Sequence, residues 1–139
     1  MRKILVALDG SKNATRGLEK AIDIAKENQS RIVGLNIVQV PTSYFISKPK
    51  VEIQENMIKA SKKIIENADR KCRASGVSFE SKIIPGGDLG YDIVKFSKKS
   101  NSDMIVVGAR GLNPLKEIFL GSVSNYVLHK SKIPVLIVK

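Results

Sequence analysis

Five short apolar runs alternate with stretches whose apolar residues recur every three or four positions, and no other feature constrains the fold of this 139-residue chain as strongly. The runs are "KILVAL" (3–8), "RIVGLNIVQV" (31–40), "SFESKII" (78–84), "DMIVVG" (103–108) and "PVLIVK" (134–139). Runs of this length and composition suit strands buried on both faces. Between them, Ala14, Leu18, Ala21, Ile22 and Ala25 mark a first helix to about Asn28. Met57, Ala60, Ile64, Ala68 and Cys72 share one face of a long second helix, with Gly76 placed to stop it. A third helix covers about 91–99 with Asp88 or a neighbour as cap, and a fourth runs from about Ser122 to Lys130. "PTSYFISKPK" (41–50), with two prolines, reads as a surface loop, and "PGGDLG" (85–90) as a turn. Strands that alternate with helices form a parallel sheet, because parallel neighbours need crossover connections. The expectation is one α/β, Rossmann-like domain over 1–139, with an open five-stranded parallel sheet and helices on both faces.

In such sheets ligands bind beyond the carboxyl ends of the strands, where the strand order reverses. Two strand ends carry suitable residues: Asp9-Gly10-Ser11 after the first and Gly108-Ala109-Arg110-Gly111 after the fourth. If those strands are neighbours, both loops face one crevice. Asp9 could accept hydrogen bonds from a ligand hydroxyl or amine there, or it could cap the first helix. The spacing Gly108-x2-Gly111-x9-Gly121-Ser122 puts a tight turn after the fourth strand and a glycine at a helix start. A helix N-terminus has free N–H groups and a favourable dipole, so it suits phosphate. Gly121 removes a side chain that would block close approach, and Ser122 and Ser124 can add hydroxyl donors. Arg110 and Lys116 could supply charge or lie on a solvated surface. Neither a P-loop nor the dinucleotide fingerprint occurs in the sequence.

Other function classes find less support. One histidine, His129, and one cysteine, Cys72, preclude Ser-His-Asp and Cys-His arrangements, and the glycine loops hold no paired carboxylates. A single cysteine suits a reducing cytoplasm, and no apolar run approaches the roughly 20 residues that span a bilayer. "MRKILVALDG" reads as a first strand rather than a signal peptide. The net charge of +11 is the unusual number. Lys59, Lys62, Lys63, Arg70, Lys71 and Arg73 crowd the second helix, as a solvated face or as a surface for a polyanion. Aromatic residues are not interleaved with them, so no base-stacking platform is evident.

The motif at Gly108, Gly111, Gly121 and Ser122, followed by a basic residue and "IPVLIV", resembles the ATP-binding subclass of universal stress proteins. "KILVALDGS" and "SDMIVVGARG" match that family as well, so the resemblance covers essentially the whole chain. It implies the strand order 3-2-1-4-5, which puts strands one and four side by side. It also implies that Ala7 and Asp9 meet the nucleoside and that the Ile37 backbone meets adenine. Val107, Gly108 and Gly111 would surround the ribose and phosphates, and Gly121, Ser122, Val123 and Ser124 would wrap the phosphates. The implied ligand is ATP, or AMP or ADP, with Mg2+ or Mn2+ carried by the phosphates because Asp9 is the only carboxylate the sequence places nearby.

The function expected is that of a cytoplasmic, ATP-binding, nucleotide-responsive regulator without a catalytic constellation. The alternatives are a weak ATPase or phosphotransferase, and a nucleic-acid-binding module using the basic second helix. Because "PVLIVK" would lie at the sheet edge, a homodimer through that strand is expected, as the family resemblance also implies.

Overall fold

The computed structural model describes residues 1–41, 55–111 and 120–139. Strand and helix alternate along the chain: β1 (Lys3–Ala7), α1 (Lys12–Asn28), β2 (Arg31–Gln39), α2 (Glu55–Ala74), β3 (Phe79–Gly86), α3 (Leu89–Lys99), β4 (Met104–Gly108), α4 (Ser122–Lys130) and β5 (Val135–Val138). All neighbouring strands pair in parallel, in the order β3-β2-β1-β4-β5. The open parallel sheet and its strand order are those expected.

Alternation along each strand divides the core in two. On one face Ile4, Val6 and Leu8 meet Leu18, Ala21 and Ile22 of α1 and Ala68 and Cys72 of α2. On the other, Leu5, Leu35, Ile105 and Val107 meet Ile93 and Val94 of α3 and Val127 of α4. Burial on both faces explains why these runs lack the polar alternation of a half-exposed sheet. Ile4, Leu5 and Ile105 are fully buried, and each such side chain contributes about 1.5–3 kcal/mol.

Local chemistry sets the helix ends. The Ser11 hydroxyl caps α1 by accepting from the Ala14 N–H at 3.1 Å, and Gln29 closes it in the left-handed region at φ 51°. Asp88 caps α3 by accepting from the Tyr91 N–H at 3.1 Å. Two expectations need correction. Pro85 and Gly86 belong to β3 rather than to a turn, pairing with Val38 and Gln39. A proline is tolerated there because β3 is an edge strand, where an N–H facing outward is not needed. On α2, Ala60 is exposed while Ser61 is buried, because this end of the helix overhangs a crevice instead of lying flat on the sheet.

Candidate functional site

The strand order reverses at β1 and β4, and at the carboxyl ends of these parallel strands lies a crevice of about 930 Å³. Ala7, Asp9 and Ile37 reach it from β1, its following loop and β2. Val107, Gly108, Arg110 and Gly111 line it from β4 and the turn after it. Gly121, Ser122, Val123 and Ser124 enter from the start of α4. Every residue singled out there by sequence is therefore brought to one place, except Lys116, which lies outside the described residues with the rest of 112–119. Residues 42–50 of the proline-containing segment lie outside them too.

Each element has a local reason for its position. Leu8, one residue beyond β1, donates its N–H to the Leu35 carbonyl at 2.8 Å, and its own carbonyl accepts from Asn36 Nδ2 at 2.7 Å. The chain then turns through Gly10, whose φ of 85° favours glycine. Asp9 does not cap α1. Its Oδ1 accepts the Ser11 N–H at 2.8 Å, which pins the carboxylate at the crevice wall.

The three glycines of the spaced motif answer to three different demands. A Cβ on Gly108 would stand 2.9–3.0 Å from Asn13 and the Ala14 nitrogen, so this glycine lets β4 end against the first turn of α1. A Cβ on Gly111 would stand 2.9 Å from the Asp9 carboxylate. At Gly121 the closest atom would be the Ala109 carbonyl oxygen at 3.4 Å, an ordinary contact, and φ is −67°. Neither packing nor backbone conformation among the described residues requires a glycine at 121.

Ala109 ties this region together. Its carbonyl accepts from the Gly121 N–H at 2.7 Å and from Ser124 Oγ at 2.9 Å, and its N–H donates to the Val138 carbonyl at 2.7 Å. Ser124 is thus buried with its hydroxyl proton committed to the protein, not offered to the crevice as its sequence position suggested. Its backbone remains part of an open helix start. Gly121 provides no side-chain cap for α4, and the first intrahelical donor is Asn125, which bonds the Gly121 carbonyl at 3.0 Å. The N–H groups of Ser122, Val123 and Ser124 have no partner among the described residues, as expected for an uncapped first turn.

Sequence reasoning missed several lining residues. Asp88, at the start of α3, brings a second carboxylate to the crevice lining. Ala60, Ser61 and Ile64 overhang it from α2, and Ile93 and Tyr126 line it from α3 and α4. Asn36 is the most telling of them. It is 5 % exposed, and Oδ1 is the only buried side-chain nitrogen or oxygen among the described residues that lacks a hydrogen-bond partner. Leaving such an atom unpaired costs about 1–3 kcal/mol. The available signal was an asparagine within an otherwise apolar strand run, where that residue type is depleted.

Burial, with the Asp69 carboxylate adding to it, pushes the Cys72 thiol up to about 11, which suits a packing residue and not a nucleophile. His129 is exposed near the far end of α4, away from the crevice. No three His, Cys, Asp or Glu side chains gather to hold a metal ion among the described residues. Among those residues, too, no helix is long and apolar enough to cross a membrane.

Comparison with known proteins agrees with this geometry. The family model for the universal stress protein family matches residues 1–139. Universal stress protein YxiE of Bacillus subtilis is 38% identical, with 99% of this chain and 98% of that protein covered. The solved structure of protein MJ0577, described as a structure-based assignment of biochemical function, superposes with a TM-score of 0.86 at 28% identity, covering 99% of this chain and 95% of that one. The universal stress protein from Archaeoglobus fulgidus in complex with dAMP superposes with a TM-score of 0.74 at 24% identity, covering 100% of this chain and 98% of that one. With the strand order, the spaced glycines and a full-length match in agreement, the chain belongs to the universal stress protein family.

Proposed function

We propose that the protein binds an adenine nucleotide, ATP or its AMP and ADP relatives, in the crevice between β1 and β4 and acts as a nucleotide-responsive regulator in the cytoplasm. The observation that carries the reading is the open start of α4. Three N–H groups without partners among the described residues belong to residues that line the crevice, behind a glycine that packing does not require. Such a helix start favours phosphate through both its free donors and its dipole. Arg110 adds positive charge on the same wall, and Asp9 stands where a ribose hydroxyl could donate to it. The dAMP complex of the Archaeoglobus fulgidus protein is a precedent for the fold holding such a ligand, although at 24% identity it speaks for the fold alone. Mg2+ or Mn2+ would arrive with the phosphates, with Asp9 and Asp88 the carboxylates at hand.

Regulation would act by population shift, the nucleotide favouring one arrangement of the 109–121 segment that a partner then reads. The crevice offers no histidine or cysteine as a base, and its Asp9 and Asp88 carboxylates each hold a backbone N–H of their own loop or helix start, so turnover would fall far below the roughly 1 to 10³ per second of dedicated enzymes. A homodimer through β5 belongs to the same reading, because the outer edge of β5 has no strand partner among the described residues. A native mass spectrum of the protein as purified tests the whole reading. Mass added by an adenine nucleotide on a dimer supports it. Failure to take up ATP even when it is added in excess would sink it.

A further inference from the structure

At the end of the sheet away from the crevice, Arg2, Lys3, Gln29, Arg31, Asn101 and Asp103 line a second hollow of about 650 Å³. The five-residue strand β1 separates the two, a span of about 16 Å at roughly 3.3 Å per residue. Three cations meet one carboxylate in the hollow, and that carboxylate is already engaged. Asp103 Oδ2 accepts the N–H groups of Arg2 and Lys3 at 2.8 and 2.9 Å. Those backbone donors are the main cause that holds its carboxyl low, and the Arg2 charge is a lesser one. Basic side chains at this end of the sheet could simply offset the carbonyl ends of the helices. Lys3 does so, its Nζ donating to the Ser100 carbonyl that closes α3. Arg2 and Arg31 do not: among the described residues, neither guanidinium makes a hydrogen bond or an ion pair.

Two further features set this cluster apart. The register places Lys3 directly beside Arg31 across β1 and β2, and like charges so placed repel. Gln29 and Asn101 are the non-glycine residues with positive φ among the described residues, at 51° and 52°. A helix usually closes on glycine or asparagine in that region. Glutamine at 29 strains the backbone more than glycine would, and it brings an amide to the hollow. A multiply charged oxyanion answers each of these observations. It relieves the repulsion, it accepts from the amides, and guanidinium forks pair bidentately with phosphate oxygens. Two forks suit two phosphoryl groups, and three cations against one carboxylate leave positive charge in excess. We propose that the hollow is an anion site separate from the crevice, which takes a diphosphate group between Arg2 and Arg31, as free pyrophosphate or carried on a nucleoside. It does not depend on the nucleotide reading of the crevice.

Residue-resolved proton–nitrogen correlation spectra of the full chain test this, with inorganic pyrophosphate and ADP titrated separately at constant ionic strength. Signals of Gln29, Arg31 and Asn101 should shift and saturate with at least one ligand, apart from any change at Ser122, Val123 and Ser124 in the crevice. Pyrophosphate binding at the hollow as tightly as ADP would identify the free anion as its ligand, and tighter ADP would identify a nucleotide. Combining Arg2→Gln with Arg31→Gln should weaken binding at the hollow at least about tenfold. Both side chains are exposed, so the melting temperature should not fall and the crevice signals should respond as before. No saturating shift at the hollow with either ligand would overturn the proposal. Shifts that chloride reproduces at the same ionic strength would do so too, as would unchanged affinity in the double variant. Silence of the crevice signals alone would count against the nucleotide reading and leave this inference standing.

Discussion

Gly111 and Asp9 come so close across the mouth of the crevice that a single methyl group on the glycine would stand 2.9 Å from the carboxylate. Asp9 cannot simply swing away, because its other oxygen accepts the Ser11 N–H at 2.8 Å. Gly111→Ala should displace the carboxylate from the crevice wall and weaken ATP binding several-fold. Gly111 is exposed and not among the positive-φ glycines, so melting should hardly change. Calorimetry and a thermal melt on the same sample separate the two effects, and unchanged affinity would remove Asp9 from the site.

Gly108 behaves differently. A Cβ there meets the backbone of Asn13 and Ala14 in the first turn of α1, which cannot yield as a flexible side chain can. Gly108→Ala should therefore cost about 1–3 kcal/mol of stability, the usual range for overpacking. Urea denaturation measures it, and a variant as stable as wild type would show that α1 can shift freely at this contact.

At the opposite end of the sheet, Asp103 accepts hydrogen bonds from the Arg2 and Lys3 N–H groups at 2.8 and 2.9 Å. Those backbone donors hold its carboxyl below the usual carboxylate range. A carboxyl depressed by folding stabilises the protein above its unfolded pKa, and that contribution is lost as pH falls through the folded pKa. Asp103→Asn should melt below wild type at neutral pH, and the gap should close in acid. Melting curves across that range check this. A gap that persisted after protonation would mean that the carboxylate charge is not its source.

The β5 edge carries the expectation of assembly. Leu136 and Val138 pack toward one core face and Val135 and Ile137 toward the other, each only partly buried. Two copies pairing across a twofold axis would cover these side chains and the open edge together. Sedimentation should give a dimer at micromolar concentration, shifted toward monomer by Ile137→Lys. A wild-type monomer under those conditions would refute it.

Much of this architecture was legible in the sequence because apolar periodicity reports burial directly. The strand at 104–108 and the helix at 122–130 fall within a residue of their expected limits. Pro85 misled because proline signals a turn locally, while its place on an edge strand depends on the sheet's order. Ser124 misled for a related reason: a hydroxyl beside a glycine motif suggests a ligand contact, yet the Ala109 carbonyl that takes it belongs to another element. Asp88 was hidden because only the tertiary fold brings the start of α3 to the crevice, whereas Asn36, next to the Ile37 expected there, offered only the signal of an asparagine in an apolar run.

The most direct measurement concerns Gly121, the motif glycine without a packing reason. At φ −67° and ψ 163° a valine fits the backbone, and the protein should lose only about 1 kcal/mol from the weaker helix cap. Its branched side chain would nevertheless stand where phosphates must approach the α4 N–H groups. Calorimetric titration with ATP should show Gly121→Val binding at least tenfold more weakly than wild type, a loss of about 1.4 kcal/mol or more. Equal ATP affinity in a folded Gly121→Val protein would contradict a phosphate site at the start of α4.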